Sequence, residues 1–156
     1  MAILVGKAPN FKNFKPSSEK ASRALSKIKA TDTKGEKLLR SVLWRMGFRF
    51  RKNVRDLPGK PDIVFPKHKV AIFCDGDFWH GRNWRKDKRR LQVGPNAPYW
   101  VAKIQANINR DKRYNKELRC LGWRVLRLWE SDLRADVANT ALSIAGILST
   151  KTNQQH

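Results

Sequence analysis

Ala71-Ile-Phe-Cys-Asp-Gly-Asp-Phe-Trp-His-Gly81 is an apolar run that passes directly into a turn carrying two carboxylates, two aromatic rings and an imidazole. Its first residues have the composition of a buried strand, which organises the chain around a sheet. A strand that merely closes a sheet ends in Gly, Asn or Lys. Here Asp75, Asp77 and His80 stand near one strand end, where such groups can bind a cation and move a proton. A second acidic strand opening, Gly59-Lys-Pro-Asp62-Ile-Val-Phe65, lies a short way upstream. Together the two segments read as a nuclease centre.

Composition names the partner. The chain has 156 residues, 40% of them hydrophobic, with six tryptophans, enough for one domain with a real core. Lys+Arg is 34 against 13 Asp+Glu, a formal charge of +21 spread along the sequence. Such a field attracts a polyphosphate, because each neutralised phosphate releases condensed counterion. An anionic membrane is the competing partner, but no long apolar run is present, and Met1-Ala-Ile-Leu-Val5 is too short for a signal or spanning segment. The expectation is a cytoplasmic, nucleoid-associated protein with no membrane partner. Cys74 and Cys120 are far apart and outside any Cys-x-x-Cys pair, and with only His68, His80 and His156 there is no zinc-ligand cluster. Reduced thiols and no structural zinc are expected.

Residues 1–30 hold seven Lys/Arg against one acid, Glu19, and read as a basic arm; 31–150 reads as the catalytic domain and 151–156 as a flexible tail. Thr33-Lys-Gly-Glu36 has the pattern of a capping box opening a helix, with Leu38, Leu39, Val42, Leu43 and Met46 at helical spacing and Gly47 as its stop. Phe48-Arg-Phe-Arg51, Ile63-Val-Phe65 and Val70-Ala-Ile-Phe73 predict a three-strand meander. Arg82 to Arg90 carries six Lys/Arg in what reads as a loop; beside a candidate site its charge points to phosphate contact rather than idle surface. A long helix follows from about Tyr99 to Leu121, with Trp100, Ile104, Ile108, Leu118 and Leu121 on one stripe. Asp111 shares that stripe and so needs an inward partner. Trp123 to Trp129 predicts a fourth strand, and Leu133, Val137, Ala141, Ile144 and Leu148 a final helix. The order is αβββαβα, a single-domain mixed α/β fold.

Glu36, Asp62, the Asp75 to His80 turn and Asp111 thus fall on four elements. Singly each has a plain reading: Glu36 as the reciprocal capping-box residue, Asp62 as a turn carboxylate, His80 as a surface residue. Jointly, with Pro-Gly-Lys-Pro-Asp62, Ile-Phe-Cys-Asp-Gly-Asp-Phe-Trp-His80, Asn109-Arg-Asp111, Leu121-Gly-Trp-Arg-Val125 and Trp129-Glu130 in register, the chain from about Ser22 to Leu133 resembles the very-short-patch repair endonucleases. That family is a branch of the PD-(D/E)XK nuclease fold, with a mixed central sheet flanked by helices.

The resemblance implies Mg²⁺-dependent hydrolysis of a DNA phosphodiester, with Asp62 and the Cys74 carbonyl holding the metal. His80 is then the general base, Asp111 orients its ring, and Glu36 supports the metal's water from the first helix. Phe78, Trp79 and Trp100 match an aromatic wedge that enters the duplex beside a mismatch, the alternative being that these rings are ordinary core. Arg82, Arg85, Lys86, Lys88, Arg89 and Arg90 are the expected backbone contacts. The positions that match a zinc set in relatives hold Asp77, Arg82, Trp84 and Ser131. Asp75, with Cys74 before it, stands where relatives have a histidine, so it is a candidate ligand for a second metal or for a metal-mediated phosphate contact. The expected activity is nicking of one strand of double-stranded DNA at a T·G mismatch by a monomer. A restriction-type or homing-type enzyme cutting unmodified DNA, and a non-catalytic basic nucleic-acid-binding protein, are the alternatives.

Overall fold

A computed structural model describes residues 15–27 and 31–150 of the chain. Much of the predicted basic arm, and the tail at 151–156, lie outside the described residues. The elements run α1 (Glu19–Ser26), α2 (Lys34–Arg45), β1 (Arg51–Lys52), β2 (Ile63–Phe65), a short 3-10 turn (Pro66–His68), β3 (Val70–Asp75), α3 (Trp84–Gln92), α4 (Ala97–Cys120), β4 (Arg124–Trp129), α5 (Glu130–Ala135) and α6 (Val137–Thr150). Contacts divide the chain into two compact units, residues 1–29 with 77–112 and residues 30–76 with 113–156. We call them the helical unit and the sheet unit.

The sheet unit holds a four-stranded mixed sheet in the order β1-β2-β3-β4. The expected meander is present: β1 pairs antiparallel with β2 and β2 with β3, and β4 then adds parallel to β3, with Val70 opposite Arg124 and Asp75 opposite Trp129. Because side chains alternate along a strand, β3 serves two faces. Val70 and Ile72 join Ile63, Phe65, Leu39, Leu43, Leu133, Ala141, Ile144 and Leu148 in the larger cluster, against which Cys74 packs. Ala71 and Phe73 face the other way, onto Leu118 at the end of α4. Gly59 has φ +77 and lies where a Cβ would meet the Tyr114 ring at 2.8 Å, so the turn before Asp62 needs glycine on both counts.

The helical unit contains α1, α3 and the first two thirds of α4. Ser18 accepts a hydrogen bond from the Ala21 amide and Glu19 pairs with Arg23, enough local support for α1 although none of its residues is buried. Asn96 donates to the Lys15 carbonyl at 3.3 Å. On α4, Ile104 is fully buried and Asn107 and Asp111 are buried polar residues.

Several boundaries differ from expectation. The first strand shrinks to Arg51–Lys52, because Phe48 and Phe50 instead pack against the core from outside the ladder. Arg82 to Arg90 is not a loop: Trp84–Gln92 is a helix, and its many long straight side chains cost little to helix formation. The single final helix is two, interrupted at Asp136 with φ −155 and ψ 79. The predicted apolar stripes end sooner than their spacing suggests, since Leu38, Met46 and Leu121 are 45%, 38% and 57% exposed. No described helix is long and apolar enough to cross a membrane.

Candidate active site

In the sheet unit, four carboxylates surround one strand end. Asp62 precedes β2 with its amide donating to the Ile72 carbonyl, and its Oδ2 accepts the Cys74 amide at 2.7 Å. That bond fastens the Asp62 carboxylate to β3, beside the Cys74 backbone. Asp75, 3% exposed, lies with Oδ1 and Oδ2 at 3.0 and 2.9 Å from Nη1 of Arg127 on β4. Arg127 also donates from Nε to Asn115 at 2.8 Å and stacks 4.2 Å above the Phe73 ring.

Glu36 is 1% exposed at the first turn of α2. The capping box forms in a modified version: Thr33 Oγ1 accepts the Glu36 amide, but Glu36 Oε2 reaches back to the Asp32 amide, one residue earlier than the usual reciprocal bond. Burial raises the pKa of Glu36 above its ordinary value, against the pull of the Asp32 amide and Arg40. Glu130, which the sequence offered only as part of a motif, completes this corner. It accepts from Thr33 Oγ1 at 3.0 Å and from the Gly35 amide at 3.1 Å, and a Cβ at Gly35 would fall 2.7 Å from both of its oxygens. The Cys74 thiol is pushed far above its usual range, first by burial and then by the charges of Asp62, Glu36, Glu130 and Asp75. The oxygens of Asp62 and the Cys74 carbonyl fit a hard divalent cation, and a thiol so strongly held in its protonated form does not make the centre a thiolate site.

The helical unit holds an imidazole and an aromatic face. His80 Nδ1 donates to Asp111 Oδ2 at 2.6 Å. Asn107, one turn before Asp111, donates to the Trp79 carbonyl at 2.9 Å, and Gly81, at φ +71, sits where a Cβ would meet Ile108 Cδ1 at 2.5 Å. Asn107, Ile108 and Asp111 therefore hold the main chain on both sides of His80 and the ring itself from one side of α4. Phe78, Trp79 and Trp100 are mutually in contact, with centroid separations of 5.4, 6.1 and 5.7 Å, and Tyr99 stacks on Trp100 at 5.2 Å. All four rings are half-buried.

The cationic residues fall on and before α3. Arg82, Arg85, Lys86 and Arg89 line a shallow concavity with Asn83 and Trp84, whereas Arg90 pairs with Asp87 at 3.3 Å. Trp84 is anchored through its indole N–H to Gln105 at 3.0 Å, and Arg82 stands 3.9 Å from Asp77. A guanidinium and an indole offer no lone pair to zinc, so the set Asp77, Arg82, Trp84 and Ser131 does not fit that metal. Arg127, Asn107 and Glu130 are the residues a sequence reading overlooks: a carboxylate in a strand calls for a buried cation, but nothing local says which one.

The DNA mismatch endonuclease Vsr family model matches residues 14–86. The type II nicking enzyme V.HpaIIP of Haemophilus parainfluenzae is 42% identical over 126 residues, covering 81% of this chain and 86% of that protein. The type II nicking enzyme V.NmeDIP of Neisseria meningitidis serogroup C is 41% identical, covering 74% of this chain and 76% of its own. The DNA mismatch endonuclease Vsr of Escherichia coli strain K12 is 38% identical, covering 74% of each chain. With identity of this order over more than two thirds of both partners, and a mixed α/β fold of the PD-(D/E)XK nuclease kind, the chain belongs to the Vsr family of metal-dependent nucleases and is a DNA endonuclease.

Proposed function

We propose that this endonuclease nicks one strand of duplex DNA at a T·G mismatch, in a Mg²⁺-dependent reaction, acting as a monomer. The observation that carries the mismatch reading is the half-buried contact cluster of Phe78, Trp79 and Trp100, of which the first two directly precede His80 in sequence. Insertion of rings into a base step costs a few kcal/mol, roughly, and costs least where pairing is already imperfect. The relatives, a mismatch endonuclease and nicking enzymes, support the same reading.

Asp62 and the Cys74 carbonyl are the proposed metal ligands. When bound there, Mg²⁺ supplies charge neutralisation at the scissile phosphate and leaving oxygen. His80 accepts the proton of the attacking water at Nε2, while Asp111 fixes Nδ1 as the donor nitrogen and stabilises the ring as it becomes cationic. Glu36 orients water from the start of α2. Arg82, Arg85, Lys86 and Arg89, with Lys88 and Arg90 beside them, bind backbone phosphates without reading bases.

The test is incubation with Mg²⁺ and end-labelled duplexes, matched and T·G-mismatched, run on denaturing and native gels. The expected product is a single break, in the mismatched duplex and visible only under denaturation. Cleavage of both strands of matched DNA would refute the mismatch-nicking reading, and binding without any cleavage would refute the catalytic one.

A further inference from the structure

Asp75 stands immediately after a proposed metal ligand, and a carboxylate in that place invites a second ion. Its surroundings argue otherwise. Both oxygens lie within 3.0 Å of one Arg127 nitrogen, and Arg127 is itself held three ways: by Asp75, by Asn115 at 2.8 Å and by the Phe73 ring at 4.2 Å. The Asp75 and Arg127 side chains are only 4% and 17% exposed. An ion pair withdrawn from water this far is not opened cheaply, because the released guanidinium would keep its buried position without a counter-charge.

The strand geometry adds an independent argument. Phe73 is the register partner of Arg127 across the parallel β3–β4 ladder, so these two side chains and Asp75, two residues on, project from one face. Cys74 projects from the other, with the cluster that packs beneath α2 and α6.

We infer that Arg127 is a positioning residue that commits Asp75 to a buried ion pair and keeps it out of metal coordination, so that this chain's carboxylate centre takes one divalent ion rather than two. The guanidinium supplies permanently, from within the protein, the positive charge that a second cation would otherwise bring beside Asp75. Arginine suits the task because it stays protonated and its planar group stacks on Phe73 while it bonds sideways. This inference rests on the reading of Asp62 as a metal ligand.

The experiment counts bound Mn²⁺ on the full chain by electron paramagnetic resonance of the free ion. The wild-type protein is expected to bind one Mn²⁺, and Asp75→Asn still to bind one, with affinity lowered by the uncompensated charge of Arg127. Arg127→Leu, which releases Asp75, is expected to bind two, and Arg127→Lys to return the count to one. Loss of the ion in Asp75→Asn, two ions in the wild type, or an unchanged count in a folded Arg127→Leu would each overturn the inference. If Arg127→Leu does not fold, the wild-type and Asp75→Asn counts decide alone. Asp62→Asn separates the underlying reading: it should lose the ion, and retention there would reject Asp62 as ligand whatever Asp75 does.

Discussion

Around Cys74 each carboxylate is buried and engaged: Asp62 by a backbone amide, Asp75 by Arg127, Glu36 by the Asp32 amide, Glu130 by Thr33 and Gly35. Around Trp79, by contrast, three large rings touch one another and remain half-exposed, beside a main chain held through Asn107. The first region is finished before any substrate arrives, as electrostatic preorganisation requires, since dipoles and charges that must reorganise during the reaction stabilise little. The second keeps part of its aromatic surface open to solvent. In the proposed reading, chemistry and recognition therefore fall to regions with opposite degrees of internal satisfaction, and His80 is a group of the second region proposed to serve the chemistry of the first.

The largest expected effect tests that placement of His80. His80→Ala should lower the nicking rate by roughly 10²–10⁴-fold, the usual contribution of a general base, while mismatch binding is retained. A parallel loss of binding would break the contrast, making the imidazole part of the recognition face. Smaller, and on the other side, Trp79→Ala should weaken mismatch binding by about tenfold to a hundredfold, from ~1–3 kcal/mol of stacking per base. Matched duplex should lose less, because phosphate contacts dominate there. Paired titrations with a melting control decide it, for equal losses on both duplexes together with a much lower melting point would place Trp79 in the core.

The smallest effect sharpens the account of the acid centre. Glu36 has a folded pKa raised above its ordinary 4.5 by burial, so folding favours its protonated form. The stability it contributes is present in full below that ordinary value and is lost as the pH rises through the raised one. Glu36→Gln should flatten this decline: the variant melts higher than the wild type at neutral pH, and the two converge near about pH 4. Activity should fall in the same variant. A wild-type melting curve with no pH dependence of this sign would mean that Glu36 is not held against its own ionisation.

Much of this was legible in the sequence, for identifiable reasons. The meander, the existence of a fourth strand after the long helix and the stop at Gly47 follow from alternation and from a backbone conformation at φ +92 that glycine adopts freely. The helix at Trp84–Gln92 was hidden because only Trp84 and Leu91 in it are apolar, too few for a stripe to stand out in so charged a segment. Leu38, Met46 and Leu121 were assigned inward by spacing, which knows the direction of a side chain but not how far the opposing surface extends. Arg127 and Glu130 were invisible as partners because their bonds span 52 and 95 to 97 residues of sequence, a distance no local pattern encodes.

The burial of Cys74 among four negative charges has a practical corollary. A thiol whose ionisation is pushed up by its surroundings is a poor nucleophile, since the thiolate is the attacking form, whereas Cys120 ends α4 in the open. The native chain therefore carries, without engineering, one addressable attachment point: a maleimide dye or spin probe should settle at Cys120 and leave the acidic centre chemically silent.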